Sequence, residues 1–537
     1  MGSPDPTEAE TSRTIINAHV IGPGGQTAKS NVVIQDGVIA AVVPSTEADV
    51  QVTGRVIDGK NGYLIPGLID THVHLDHPQL LSVFPAWGVT TVVNMRGRPS
   101  HLALRQRPTP TITADFVSAG DYIDGNPPNM LPMSFVETPE DAATLVRHQI
   151  RQGFDFVKIY SELSRPQFQA ICQAAKELGV AVAGHIPDSV GLDDLKECPL
   201  VNIAHGEQLE KIIDSYDDTS LENLARELRS SNQTVTANGA LMIAMSNQPE
   251  ALDELLAQPY KPLLHPSLLQ AWRPGFNRYQ RRDQAWVGRI RAANERLAKA
   301  LPFLSQAQVL VAGTDTPVAG AWPGQSLHEE LIWLTGKGIS RAAALDAATV
   351  HAGRLVERLS PARVPVGQVR PDFQADLVLL ERNPLEDLSN LGSVSGIMLN
   401  GRWFTRGEID EHLEKIRSRN RDLAPMVSQF ERGLFANDPQ AMDEAQQTSG
   451  GDQLLAQYPA FFIARGWLLD SRKELRLRAL DLFRRYAIMY PDVHSAHFML
   501  GEALASQGDL QGAKAAWQKS LELHPWYPPA RARLKLE

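Results

Sequence analysis

The stretch "LIPGLIDTHVHLDH", residues 64–77, ends an apolar run with three histidines and two aspartates. Its first residues read as a buried strand. Side chains i and i+2 of a strand face the same way, so His72 and His74 share a face at the strand's end and can grip one ion together. The pair alone carries little weight, because 15 histidines in 537 residues give about 0.4 such pairs by chance. Its meaning depends on what other strand ends offer.

Outward from this stretch, short apolar strands alternate with amphipathic helices. Thr138 and Pro139 start a helix that Gly153 stops, and Ser164 starts another that Gly179 stops. "FDFVKIY", "VAVAGH", "VNIAH" and "QVLVAGTD" are the strands between and beyond. About 290 residues of this alternation predict a (β/α)8 barrel of the TIM type, with its site at the C-terminal strand ends. A doubly wound open sheet is the competing arrangement. Two β-rich pieces flank the alternation, with Asp36-Gly37 and Asn400-Gly401 marking hairpins.

The strand ends carry ligand-type residues: His72 and His74, Lys158, His185, His205 and Asp315. One βα unit takes roughly 30 residues. The intervals from His74 to Lys158, then to His185 and to His205, therefore place these groups on the first, fourth, fifth and sixth strands. Asp315 falls on the eighth, after an insertion over 241–300. Imidazole and carboxylate together suit zinc or a similar ion. An ammonium beside such ions is repelled, so Lys158 is expected to be neutral. A neutral amine can take up carbon dioxide as a carbamate, whose two oxygens would bridge two divalent ions, zinc first among them. Such a pair activates a bridging hydroxide, and Asp315 would carry the proton to the leaving amine. Asp70 is expected to hold backbone or ligand-orienting groups. His77 and His328 are weaker candidates for substrate contact.

At this point "IPGLIDTHVHLD", "GVTTVV", "VKIYSELS", "VAGHIPDSVG", "IAHGEQL", "LVAGTDT", "SLHEEL", "AATVHAGRL" and "QADLVLLERNPLED" resemble the amidohydrolase superfamily. Within it they look like the imidazolonepropionase-like or Xaa-Pro dipeptidase-like branch, in order over residues 13–410. The resemblance implies a barrel with a small β-sandwich built from both flanking segments. It also implies a binuclear zinc site with a carboxylated lysine. It carries the metal-ligand roles onto His72, His74, Lys158, His185, His205 and Asp315, and makes Tyr160 a candidate donor to the scissile carbonyl. Val93-Asn94 stands where relatives often carry Arg-Asp, so no substrate-carboxylate contact is borrowed there.

The C-terminal part reads as helical. Leu500, Gly501, Leu504, Gly508, Ala513, Trp517 and Pro525 fall in tetratricopeptide spacing, and Ala479, Phe483 and Pro491 repeat it 34 residues earlier. So short an array is expected to dock on the rest or to pair with another copy or a protein partner. Removing residues 430–537 is expected to spare the metal site. The expected division is a linker over 1–12, β segments over 13–65 and 361–410, and a barrel over 66–360. A helical linker over 411–456 and repeats over 457–537 follow.

A net charge of −10 gives no reason to expect nucleic acid, and no apolar run is long enough to span a membrane. Cys172 and Cys198 are the two cysteines and allow either thiols or one disulfide. The polar start leaves open both a periplasmic or secreted chain whose signal peptide was removed and a cytoplasmic one. The whole points to a hydrolase of amide or peptide C–N bonds, a dipeptidase or an amidase releasing an amino acid, acting on a small molecule or short peptide. A lactam hydrolase, an esterase or a lactonase using the same metals is the alternative. A tetratricopeptide scaffold with a decayed barrel is the non-enzymatic one.

Overall fold

The computed structural model describes residues 12–45, 54–106, 111–125, 134–213, 215–274 and 276–535. The linker expected over 1–12 thus lies almost wholly outside the described residues. Five strands open the chain: β1 (Ser12–Ile21), β2 (Thr27–Gln35), β3 (Val38–Pro44), β4 (Arg55–Asp58) and β5 (Tyr63–Pro66). Asp36 and Gly37 both take positive φ, 50° and 82°, which closes the β2–β3 hairpin with the twist its strands require.

The opening stretch crosses from this sheet into the next. After β5 comes β6 (Leu68–Val73), followed by β7 (Val89–Asn94) and β8 (Asp115–Ser118) in a three-stranded parallel sheet. A seven-stranded parallel sheet contains β9 (Ile123–Asp124), β10 (Ser134–Phe135), β11 (Val157–Ile159), β12 (Val182–Gly184), β13 (Leu200–Ile203), β14 (Thr234–Thr236) and β15 (Leu310–Val311). Every residue of β6 and β7 is buried, as expected of parallel strands covered on both faces. One set of side chains faces the surrounding helices. Alternate ones, among them Val93, Val117, Ala183 and Val311, form a second core with Ala352, Leu355 and Leu359 of the helix Val350–Leu359.

The ladders are not closed into one continuous barrel sheet. The two sheets meet through isolated bridges, Val73 with Thr316 and Ala119 with Phe156. At the first seam the Asp315 amide donates to the His72 carbonyl at 2.7 Å and the His74 amide to that of Thr316 at 2.6 Å. The ladder stops where backbone leaves the extended region: His205 (φ 71°) follows β13 and Asp315 (φ 59°) follows β15. Left-handed backbone at such residues is costly and collects at functional sites.

Three late strands, β16 (Leu377–Leu380), β17 (Val394–Leu399) and β18 (Arg402–Thr405), return to the first sheet. β16 pairs with β5, so the two flanks join as one eight-stranded sheet, in the order β18-β17-β16-β5-β1-β2-β3 with β4 on β1. Both flanking segments therefore contribute to one hydrogen-bonded sheet, and Val32, Ile34 and Ile39 share a core with Leu377, Met398 and Trp403. With β16 on one edge of β5 and β1 on the other, the ladder runs unbroken through both flanks. Cys172 and Cys198 form a disulfide that ties the helix Arg165–Leu178 to the turn before β13.

Helices fill Arg406–Leu534. In the helix His494–Ser506, Gly501 lies against Trp517 of the next helix, and a Cβ there would come within 2.4 Å of the indole. This close approach explains the small residue that the repeat pattern demands. The helices dock over the loop after β7, over β10 and over the insertion that follows β14. Phe135 packs on Tyr527, the Ser100 amide donates to Asp492 at 3.0 Å, and Gln270 bonds the backbone of Leu454 and Ala456. Docking onto the chain's own body, one of the two outcomes expected, is what the structure has.

Candidate metal centre

The six residues singled out at the strand ends come together. His74 Nε2 lies 2.7 Å from Asp315 Oδ1 and His72 Nε2 lies 3.4 Å from it. The His205 ring centres 4.4 Å from that of His72 and 5.1 Å from that of His185. Lys158, on β11, is 1% exposed and acts electrostatically on His72, His185 and His205. The ligand atoms of His72, His74 and Asp315 lie within 4.8 Å of one another, a spacing that can hold a metal ion.

The local electrostatics suit cations. Burial pushes the Lys158 ammonium down to about 7, against the pull of Asp315 and Glu207. Burial, with Lys158 next, holds His72 and His185 well below the usual imidazole range, and burial brings His205 to about 4. These imidazoles are neutral, the form that binds metal. Burial alone would raise Asp315, but His74, His205 and Lys158 outweigh it and hold the carboxyl below its ordinary value. Lys158 Nζ, His185 Nε2 and both ring nitrogens of His72 are buried without a hydrogen bond. Orphaned buried polar atoms cost about 1–3 kcal/mol each, and here they converge from several strand ends. The donor set therefore fits divalent ions.

Neighbours aim the rings. Asn238 Oδ1 accepts from His205 Nδ1 at 3.2 Å, which turns the Nε2 lone pair inward. Ser161 Oγ bonds His185 Nδ1 and the Tyr122 hydroxyl bonds His74 Nδ1, each at 3.2 Å. Asp70, fully buried, accepts from the Thr314 amide at 3.0 Å, the Thr314 hydroxyl at 2.6 Å and the His72 amide at 3.2 Å. It thereby locks β6 to the loop that carries Asp315. Tyr160 stacks on His185, with ring centres 3.8 Å apart. Sequence reasoning missed Tyr122, Ser161, Asn238 and Thr314, since no spacing marks a residue that touches a ligand only across the fold. It also missed Glu207, which burial pushes up to about 7.

His77 and His328 are not part of this cluster. His328 Nε2 donates to the Trp87 carbonyl at 2.8 Å. His77 stacks on His265, and both Nε2 atoms face Asp452 Oδ1, at 3.7 and 3.5 Å. The spacing of this second trio would also admit a metal. However, His77 Nδ1 accepts the Gln79 amide and His265 Nδ1 the Ser267 amide. Their protons therefore sit on Nε2 and point at the carboxylate, so the trio is a clamp between the β6 loop and the C-terminal helices.

The fold is one that solved amidohydrolase structures share. Bottromycin amidohydrolase superimposes with a TM-score of 0.58 at 23% identity, over 78% of this chain and 94% of that one. The A. niger ochratoxinase does so at 0.55 and 18%, over 74% and 96%. A Xaa-Pro dipeptidase with methionine bound in its active site gives 0.53 and 18%, over 74% and 100%. A tetratricopeptide-repeat family pattern matches residues 494–525. No curated protein matches the chain in sequence.

Proposed function

We propose that the chain is a metal-dependent hydrolase of amide or peptide C–N bonds, releasing an amino acid as a dipeptidase or amidase does. The observation that carries this reading is the convergence of buried, unsatisfied imidazole and amine nitrogens on Asp315. The two bridged seams support a closed (β/α)8 arrangement, in which these residues share the C-terminal rim. His72, His74, Lys158, His185, His205 and Asp315 would hold two divalent ions, zinc first among them. When bound, such ions supply an acidified water and a Lewis acid for the carbonyl.

The chain's own residues do the rest. Lys158, as the neutral amine, would add to carbon dioxide: an N–C bond forms as one C=O π bond opens, one N–H breaks and its proton leaves to solvent, and an anion with two oxygens replaces the amine. Asp315, kept ionised by its histidines, takes up a proton and delivers it to the departing amine nitrogen. Tyr160, beside His185, donates to the developing oxyanion. The solved amidohydrolases and the Xaa-Pro dipeptidase support the same direction.

The test is a panel of dipeptides, N-acyl amino acids and lactones offered to the zinc-loaded protein. Release of a free amino acid from the first two classes is expected. Turnover of lactones alone would replace the amide reading with an ester one, and no metal-dependent turnover at all would leave a scaffold.

A further inference from the structure

Three strands that approach the metal centre open, at their other ends, onto a cavity of about 760 Å³. Val180 precedes β12, Val201 lies early in β13 and Val309 precedes β15, and all three line it. This gives the cavity an apolar floor. Its rim is cationic: Lys176, Arg229, Arg354 and Arg358 stand around it with one carboxylate, Glu357. In a chain of net charge −10 this is a local reversal of sign.

Two carboxylates act on these cations from a distance, Glu357 on Arg358 and Asp346 on Arg354. Among the described residues no ion pair joins any of the four to a carboxylate. Arg358 donates instead to the backbone oxygens of Arg354, at 3.2 Å, and Asn232. Burial, and then the nearness of Arg354 and Arg229, push its guanidinium down to about 10. His351, also on the wall, is held neutral by burial and bonds the Leu310 carbonyl, so it adds no charge. Like charges gathered from three helices around an apolar hollow repel one another until an anion enters. Guanidinium groups bind carboxylates through paired hydrogen bonds, and a cavity with an apolar floor takes a ligand with an apolar body.

We propose that this cavity binds an amphipathic carboxylate, its alkyl chain on Val180, Val201 and Val309 and its head on Arg229, Arg354 and Arg358. The site is separate from the metal centre and does not depend on the hydrolase reading.

The test is calorimetric titration of the full chain with decanoate, with decan-1-ol as the uncharged probe. One saturable decanoate site per chain is expected, at least tenfold tighter than decanol and weakened by added salt. Arg229→Gln with Arg354→Gln should weaken decanoate at least tenfold while circular dichroism stays unchanged, since both side chains are exposed. His185→Ala should leave decanoate binding as it is, which separates this cavity from a carboxylate captured at the metal centre. Absence of a saturable site would overturn the proposal. So would equal affinity for decanol, wild-type affinity in the arginine variant, or loss of binding in His185→Ala.

Discussion

Lys158 concentrates the account at the scale of one residue. Its ordinary value of 10.5 belongs to the unfolded chain, and burial lowers the folded value to about 7. Below pH 7 both states hold the proton and the folded state bears the full cost of a buried ammonium. That cost fades as pH rises from 7 towards 10.5. The amine able to form a carbamate appears over the same rise. In chelated, metal-free protein given ¹³C-bicarbonate, a carbamate carbon signal should therefore grow between about pH 6 and 8. It should be absent in Lys158→Ala, whose metal content and activity should fall together and return in part with short-chain acids. Full activity at unchanged metal content in that variant would sink the bridge. Asp315→Asn should lower kcat by about 10²–10⁴ with the fold intact, as loss of a proton carrier does; a wild-type rate would remove it from that role. These residues were legible because their types are rare and their intervals fit a βα period. Tyr122, Ser161 and Asn238 were not, being ordinary residues made relevant only by the fold.

At the scale of the element, the caps were readable and the ladders less so. Thr138 with Asp141, and Ser164 with Gln167, form the capping boxes, and Gly153 and Gly179 end their helices at φ 101° and 65°. The turn residues showed where strands would reverse, but not that both flanks would zip through β5 and β16 into one sheet. Register between segments some 300 residues apart is a tertiary matter. The seam between β6 and β15 depends on Asp70 and Thr314. Thr314→Val removes the 2.6 Å hydroxyl donor from a fully buried carboxylate. A loss of about 1–3 kcal/mol is expected, read as a lower urea midpoint at unchanged slope. Because Asp70 also holds the His72 amide, zinc affinity should drop with it; an unchanged midpoint would show that the seam is held elsewhere.

At the scale of the whole molecule, the C-terminal helices are tied into the rim of the site. Asp452 faces His77 and His265 and pairs with Arg419 at 2.7 Å. His494 lies 3.6 Å from Asp121, which also holds Arg96 at 3.1 Å. Arg96 in turn lies over the ring of Tyr122, the residue that bonds His74. The repeat spacing revealed the helices but not these contacts, because docking residues carry no period. These contacts bear on the expectation that removing residues 430–537 spares the metal site. Loss of those residues would take Asp452 from His77 and His265, Leu454 and Ala456 from Gln270, and His494 from Asp121, and the shortened chain should be insoluble or lack a cooperative transition. A soluble fragment with full metal content would contradict this.

Metal-dependent amide hydrolysis requires that bound metal and amino-acid release rise together. Chelated protein is titrated with zinc while bound metal and amino-acid release from a dipeptide panel are followed together. Two ions per chain are expected, with release that appears as they bind. Fewer than one ion per chain, with no release at any zinc concentration, would contradict it.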